Sequence, residues 1–413
     1  MTKLEELINE LCPDGVEYIP IKEITKFEQP TKYIVKSTNY RDDFNTPVLT
    51  AGQTFILGYT NETDGIYNAS KEHPVIIFDD FTGAFKWVDF PFKVKSSAMK
   101  MISANKDVTT LRYIYHVMGH LNFISSEHKR LWIGIYSAFR VPLPPLSIQS
   151  EIVHILDSFT LLTAELTAEL TARQKQYAFY RDYLLDFSNE DVIKKIPDID
   201  CSNVEYKRLG EVCNVQSGGT PSKKESEYWN GGTIPWLAST VCKNKKSVEE
   251  VTNYITEKGL KNSSAKMMKE NTTLIALVGA TIGKIAFLPF EASINQNVAG
   301  LFPIDENIIN ADYLFYACST LYSKFQNLGN GKLAMANMSF VRNLVIPVPP
   351  LSVQENIVKI LDRFDKLNND MSEGLPAEIE ARKKQYEYYR DTLLSFDDKA
   401  CSHIVKVERE RES

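Results

Sequence analysis

Apolar positions recur in steps of three and four along two long stretches of the chain. In the first, Ile148, Ile152, Ile155, Phe159, Leu162, Leu166 and Leu170 are followed by Tyr177, Tyr180 and Leu184. In the second, Val353, Ile357, Ile360, Phe364, Leu367, Met371, Leu375 and Ile379 are followed by Tyr386, Tyr389 and Leu393. Alternating steps of 4 and 3 are coiled-coil spacing, and the consecutive steps of 4 are stutters that local unwinding absorbs. At 1.5 Å per residue each stretch would be roughly 55–65 Å long as one straight helix. Pro142, Pro144 and Pro145 precede the first, and Pro347, Pro349 and Pro350 precede the second. Ser147 and Ser352 are the N-cap candidates, with Glu151 and Glu355 in the first turn. Residues 163–170 read TAELTAEL. A repeated tetrapeptide adjusts helix length by about 6 Å per copy, although the same composition also reads simply as a good helix former. The second stretch has Gly374-Leu375-Pro376 in this place, and Pro376 should kink the helix or start a new one at its first turn.

The two stretches are copies. VPLPPLSIQSEIVHILDSF and ARQKQYAFYRDYLLDF in the first match IPVPPLSVQENIVKILDRF and ARKKQYEYYRDTLLSF in the second. A fainter match opens each half, Val16-Glu17-Tyr18 against Val204-Glu205-Tyr206. The chain is therefore an internal duplication, in which each half is a variable block followed by a shared helical block. The variable blocks, about 15–140 and 204–345, read as mixed α/β. Strand-like runs include Val75 to Phe78 and Thr273 to Val278; turn signals include Thr63-Asp64-Gly65, Ser217 to Pro221 and Asn230-Gly231-Gly232. They match each other poorly, which suggests related modules that read different things.

Composition adds limits. Of 413 residues, 43% are hydrophobic and 24% charged, which excludes a disordered chain, a collagen-like chain and a small disulfide scaffold. The length calls for more than one core. The start, MTKLEELINEL, is polar and amphipathic rather than a secretory signal. No apolar run approaches the roughly 20 residues of a membrane span. The six cysteines (Cys12, Cys201, Cys213, Cys242, Cys318, Cys401) form no CxxC pair, which fits a reduced cytoplasmic protein. The formal charge is −6. It concentrates in the termini and helical stretches, whereas residues 86–112 carry +4 and residues 207–269 carry +5.

Motifs of catalysis come close and fail. Gly279 to Ile285 is one residue short of a phosphate loop and ends in Ile285, which cannot ligate magnesium; a strand and a tight turn is the simpler reading. Pro197-Asp198 with Glu205-Tyr206-Lys207 mimics a nuclease signature at the wrong spacing. His73, His116, His120 and His128 cluster, and His116 and His120 are four apart, but no third metal ligand is evident.

The duplicated PxPPLSxQ start, the ARxKQYxYYRDxLL end and the TAEL repeat resemble the DNA-specificity (S) subunits of type I restriction–modification enzymes. Ser217 to Pro221, Tyr228-Trp229, Ile234-Pro235-Trp236, Gly259 to Ala265, Val278 to Lys284 and Asn295-Gln296-Asn297 extend the likeness in the second block. Leu49 to Gly52, Phe78 to Phe81 and Phe92 to Ala98 extend it in the first. The resemblance implies a mixed α+β (α/β) fold. Target-recognition domains would occupy residues 1–146 and 188–351, spacer helices 147–187 and 352–396, and a tail 397–413. The helices would pack antiparallel under a pseudo-twofold axis. Each domain would read one half of a bipartite DNA site, and helix length would set the unread gap.

The resemblance also implies that the chain is not itself an enzyme. Its partners would be double-stranded DNA, two modification subunits that methylate adenine, and restriction subunits. No cofactor would be bound by this chain, with S-adenosylmethionine, ATP and magnesium expected on the partners. For phosphate and base contacts the candidates in the first domain are Gln53, Lys86, Lys93, Lys95 and Lys100. In the second they are Ser217, Thr220, Ser222, Lys223, Lys224, Ser239, Lys243, Lys245, Lys246, Asn295, Gln296 and Asn297. Trp229 and Trp236 read as core supports of the recognition loop. For spacer packing and partner docking the candidates are Leu166, Leu170, Tyr177, Tyr180, Arg181, Tyr386, Tyr389 and Arg390. The competing readings are a coiled-coil scaffold with no DNA role and a single-chain methyltransferase–nuclease, which the missing cofactor motifs disfavour.

Overall fold

The structure, a computed structural model, describes residues 3–52, 54–123, 129–188, 203–248, 250–328, 335–370 and 373–397. The chain forms two compact units: Met1–Glu165 with Glu380–Ser413, and Leu166–Ile379. The division runs through the helical stretches, so each unit holds one variable block, the start of the helical stretch that follows it, and the end of the other copy's.

Among the described residues the first unit has nine strands: β1 (Glu17–Pro20), β2 (Thr25–Glu28), β3 (Thr46–Leu49), β4 (Ile56–Thr60), β5 (Val75–Asp79), β6 (Phe85–Val88), β7 (Lys93–Val94), β8 (Met99–Ala104) and β9 (Arg140–Leu143). They form a ribbon β1-β9, a four-stranded sheet β2-β8-β5-β6 and a three-stranded sheet β4-β3-β7. Its longer helices include α1 (Lys3–Leu11), α2 (Leu111–Leu121) and the start of α3 (Leu146–Leu185). The four-stranded sheet is covered on both faces, which is why β5 reads Val-Ile-Ile-Phe without alternation. Ile76, Phe78 and Ile102 pack with Tyr113, Ile114 and Val117 of α2. Val75, Ile77, Met99 and Met101 pack with Leu49, Phe92 and Val94.

The second unit repeats this plan with β10 (Glu205–Arg208), β11 (Cys213–Ser217), β12 (Ile234–Leu237), β13 (Tyr254–Ile255), β14 (Lys266–Met268), β15 (Thr272–Ala276), β16 (Ile285–Leu288), β17 (Ala292–Ile294), β18 (Val298–Pro303) and β19 (Val345–Val348). The ribbon is β10-β19 and the sheets are β11-β18-β15-β16 and β13-β12-β17-β14. Helix α4 (Ala311–Ser319) takes the place of α2. In both units the second sheet, three-stranded in the first unit and four-stranded in the second, contains a parallel pair, β3 with β7 and β12 with β17. Blocks that match poorly as sequences thus share one core topology, to which the second unit adds β14.

Equivalent residues of the two copies make the same contacts. Thr110 caps α2 by accepting from the Tyr113 N–H, and Asn310 caps α4 by accepting from the Tyr313 N–H. The Tyr113 hydroxyl donates to the Pro142 carbonyl (2.9 Å), and the Tyr313 hydroxyl to that of Pro347 (3.0 Å). The glutamine of PxPPLSxQ is fully buried in both copies. Gln149 donates to the carbonyls of Pro144 and Val108, and Gln354 to those of Pro349 and Ile308. Each amide therefore pins the helix start to the loop that enters the preceding helix.

One expectation about the helices changes. Ser147 and Ser352 are second residues of helices that begin at Leu146 and Leu351, not N-caps; Pro350 precedes the latter without a side-chain cap. The first stretch is one 40-residue helix, about 60 Å long. The second is two helices, α5 (Leu351–Asn369) and α6 (Leu375–Leu393). Pro376 stands in the first turn of α6, where its missing N–H is harmless. Gly374 cannot carry a side chain there, because a Cβ would lie 2.6 Å from the Asp370 carbonyl oxygen.

Within the second unit, α5 runs antiparallel to the C-terminal part of α3. Arg173 lies opposite Asn368, and Tyr180 stacks on Phe364 at 5.4 Å. Within the first, Phe159 stacks on Tyr389 at 5.1 Å, which is the same pair in the other copy. The phosphate-loop lookalike is a hairpin turn between β15 and β16, with Gly279 and Gly283 at positive φ. No described helix is long and apolar enough to cross a membrane.

Candidate nucleic-acid interface

In the second unit the loop Ser217 to Lys224 lies across the end of β17. Gly219 N–H donates to the Ile294 carbonyl (3.0 Å). A Cβ on Gly218 would fall 1.7 Å from that oxygen, and one on Gly219 would fall 2.0 Å from Ser264 Oγ. Only glycine lets the backbone pass. Two tryptophans hold the loop from behind. Trp236 Nε1 donates to the Gly219 carbonyl (3.0 Å), Trp229 Nε1 to that of Ser222 (3.1 Å), and their rings meet edge to face at 5.2 Å. Their expected role as core supports fits this geometry. Thr220 donates to Gln296 Oε1 (2.7 Å), which fixes an exposed amide at the loop tip. Ser222, Lys223 and Lys224 are exposed beside it. Lys243 and Lys245 line a cleft of about 190 Å³ with Thr240, Ser247 and Thr252. Ser239 opens the short helical turn that leads into the cleft.

Topology identifies the matching surface of the first unit. Lys95 N–H donates to the Leu49 carbonyl (3.2 Å) as Asn295 N–H donates to that of Leu237 (2.9 Å). Lys95-Ser96-Ser97 therefore stands where Asn295-Gln296-Asn297 stands. Lys95 is exposed, with its ammonium 5.7 Å from the Tyr40 ring centroid. Lys86 lines a cleft of about 470 Å³ with Gly52, Thr82, Asn122 and Phe123. Gln53 lies outside the described residues.

Several candidates leave the surface. Lys93 is 1% exposed; it pairs with Glu62 (3.1 Å) and donates to the carbonyls of Asp64 and Gly65. Burial alone would push the Glu62 carboxyl up, but the N–H groups of Ser37 and Lys36 and the Lys93 ammonium hold it below its ordinary range. Lys93 thus ties β7 to the loop after β4, whose Glu62 in turn holds the N–H groups of Lys36 and Ser37, and cannot reach DNA. Lys100 is fully buried against Asp80 (2.8 Å), whose Oδ1 accepts from the Trp132 N–H. Lys246 is ion-paired to Asp312 (2.6 Å) and Asp362, away from the recognition loop. Asn295 is 7% exposed and its side-chain Oδ1 accepts from Asn297 N–H, so it shapes the turn rather than reading a base. Ser217 is half-buried at the end of β11, and Asn297 is half-buried.

Among the docking candidates, Tyr177 packs against the core of the second unit. Tyr386 packs against that of the first, its hydroxyl bonded to His116. Tyr180 and Tyr389 stack on Phe364 and Phe159, Arg181 and Arg390 are paired with Asp182 and Asp391, and Leu166 and Leu170 are half-buried. The outward aromatics are Phe179 and Tyr388, at 62% and 67% exposure and at the same position of the two copies. The period flagged Tyr180 and Tyr389 beside them, which are less exposed at 36% and 37%; the extra signal was an aromatic repeated at the same place in both copies. His116 and His120 each pair with a carboxylate, Asp157 and Asp391. Cys213 and Cys242 are buried, which pushes both thiols up to about 12 and keeps them protonated and inert.

The family model for the type I restriction modification DNA specificity domain matches residues 13–173 and 201–381. The chain is 46% identical over 414 residues to the type I restriction enzyme EcoR124I/EcoR124II specificity subunit of Escherichia coli, covering 96% of this chain and 97% of that one. It is 29% identical over 411 residues to a putative type I specificity subunit of Haemophilus influenzae, covering 96% and 98%. In fold it is similar to the S subunit of a type I system from M. genitalium, with TM-score 0.57 at 13% identity over 92% of this chain and 96% of that one. A chain from a structure of type I complex assembly gives TM-score 0.53 at 18% identity, covering 92% and 97%.

Proposed function

Since the chain belongs to the type I restriction–modification DNA-specificity family, and is the non-catalytic recognition subunit of such a system, we propose that each unit reads one half of a split DNA site. One observation supports this most. The two blocks share a topology, yet the turn that follows β7 carries Lys95-Ser96-Ser97 where the turn that follows β17 carries Asn295-Gln296-Asn297. One scaffold with two chemistries at its tips is what an asymmetric, bipartite target requires. In the second unit Gln296 reads a base edge and Thr220 holds it in place, since a fixed amide pairs well with adenine. Lys223, Lys224, Lys243 and Lys245 contact phosphates. In the first unit Lys95 and Lys86 take the corresponding place. A scaffold with no DNA role would leave these two differently decorated loop sets without a task.

The unbroken α3 acts as the ruler between half-sites, and residues 163–170 are its adjustable part. The partners are two modification subunits, which carry S-adenosylmethionine and methylate adenine, and restriction subunits that use ATP and magnesium. The exposed Phe179 and Tyr388 present equivalent aromatic contacts for two copies of one partner. The working place is the cytoplasm, where the DNA is.

The test is reconstitution with the matching modification subunits and mapping of methylated adenines on random DNA. The expected result is a split motif. Adding one TAEL unit after Leu170 should shift the gap by about one base pair and leave both half-sites unchanged. An unchanged gap with altered half-sites would remove the ruler.

A further inference from the structure

We propose that Asp157 and Asp362 are positioning residues that fix the angle at which each recognition block rides on its own unit's helices. Through that angle they sharpen discrimination of the gap without touching DNA. The inference rests on the half-site reading above.

In each unit a block helix, a spacer helix and a strand aromatic meet at one carboxylate. In the first, Asp157 of α3 accepts from His116 Nε2 (2.8 Å) and Arg112 Nε (2.7 Å), both on α2. The Arg112 guanidinium lies 4.8 Å from the Trp87 ring centroid. In the second, Asp362 of α5 accepts from the Tyr316 hydroxyl of α4 (2.5 Å) and from the Lys246 ammonium. Lys246 lies 5.7 Å from the Phe287 ring centroid. Trp87 and Phe287 occupy the same rung of their hairpins, opposite Ile76 and Thr273.

The donors differ, but the mechanical contact is the same. The cation comes from the block helix in one unit and from a loop in the other. Where Arg112 stands in α2, α4 has Asp312, which pairs with Lys246. Keeping one carboxylate while exchanging every partner is not what packing alone would ask for, because apolar contacts fill space more cheaply than partly desolvated charges. A carboxylate that accepts from two donors on the neighbouring block fixes direction, whereas an apolar seam can slide. A second tether backs the first unit, where the Tyr386 hydroxyl donates to His116 Nδ1 (3.0 Å). Removing one tether should let the loop tips wander by a fraction of the roughly 3.4 Å base-pair rise. That is enough to admit a neighbouring gap.

The test uses the complete complex with its modification subunits and three duplexes carrying the half-sites at the native gap, one base pair shorter and one longer. Tyr316→Phe, which removes a single oxygen, and Asp362→Ala should lower the preference for the native gap about tenfold, with both half-site sequences unchanged. Asp362→Asn, which keeps an acceptor for Tyr316, should retain most of it. Tyr386→Phe reports the same for the first unit. If Asp362→Ala does not fold, Tyr316→Phe carries the test. Gap preference unchanged in a folded Tyr316→Phe complex overturns the positioning role, as does an equal loss of half-site discrimination. A wild-type complex that shows no split site at all overturns the half-site reading instead.

Discussion

The two units are one design executed with different chemistry. Both place a four-stranded sheet between a helix and a second sheet, and both pin the helix start with a buried glutamine. They differ in how the recognition surface is braced. The first unit uses buried ion pairs, Lys93 with Glu62 and Lys100 with Asp80. The second uses glycines that touch backbone and two tryptophan N–H donors. At the helix junction the first relies on a histidine and the second on a tyrosine. The difference teaches that topology is the shared requirement, while bracing is free to follow whatever loops the target demands.

The comparison can be broken most severely at the buried pairs. Asp80→Ala leaves a fully buried ammonium unpaired and should destabilise the first unit by about 3–5 kcal/mol, while the second unit is unaffected; hydrogen exchange resolved by unit checks it. Adding Lys100→Met should restore most of the loss. Gly218→Val has no room beside the Ile294 carbonyl and should cost about 2–4 kcal/mol. It should abolish reading of one half-site only, as seen by methylation of single-half-site variants.

Lys243→Ala with Lys245→Ala should weaken binding of all sequences alike and flatten the salt slope by about 2, measured by titration at several salt concentrations. The smallest effect concerns pH. Burial holds His116 below the ordinary imidazole range, despite the opposing pull of Asp157. The unfolded state therefore takes up the proton first, and the stability this histidine contributes is present above the unfolded value, roughly 6.5, and lost as pH falls below it. Thermal melts at pH 5 and 7.5 should show this loss in the first unit. His116→Gln should remove it.

Helical periodicity and the paired prolines made α3, α5 and α6 legible, including the restart at Pro376. The N-caps were misread because Pro-Pro and a buried glutamine fix the start where a serine would normally serve. The common topology of the blocks was hidden by strands of two to six residues joined by loops of unequal length. Lys93 and Lys100 read as surface cations because lysine is seldom buried. Their partners Glu62 and Asp80 lie on separate loops that only the fold brings near. Thr220 and Gln296 were legible singly but not as a pair, since residues 76 positions apart meet only through β11, β12 and β17. The junction carboxylates gave no local signal beyond standing in the ILDxF segment of both copies.

The central claim is that each unit independently reads half of one split site. The most direct measurement maps methylated adenines made by a reconstituted complex in which residues 204–345 are replaced by the matching block of a relative. The account predicts a motif in which one half changes while the other half and the gap persist. A motif altered in both halves, or unaltered in either, would contradict it.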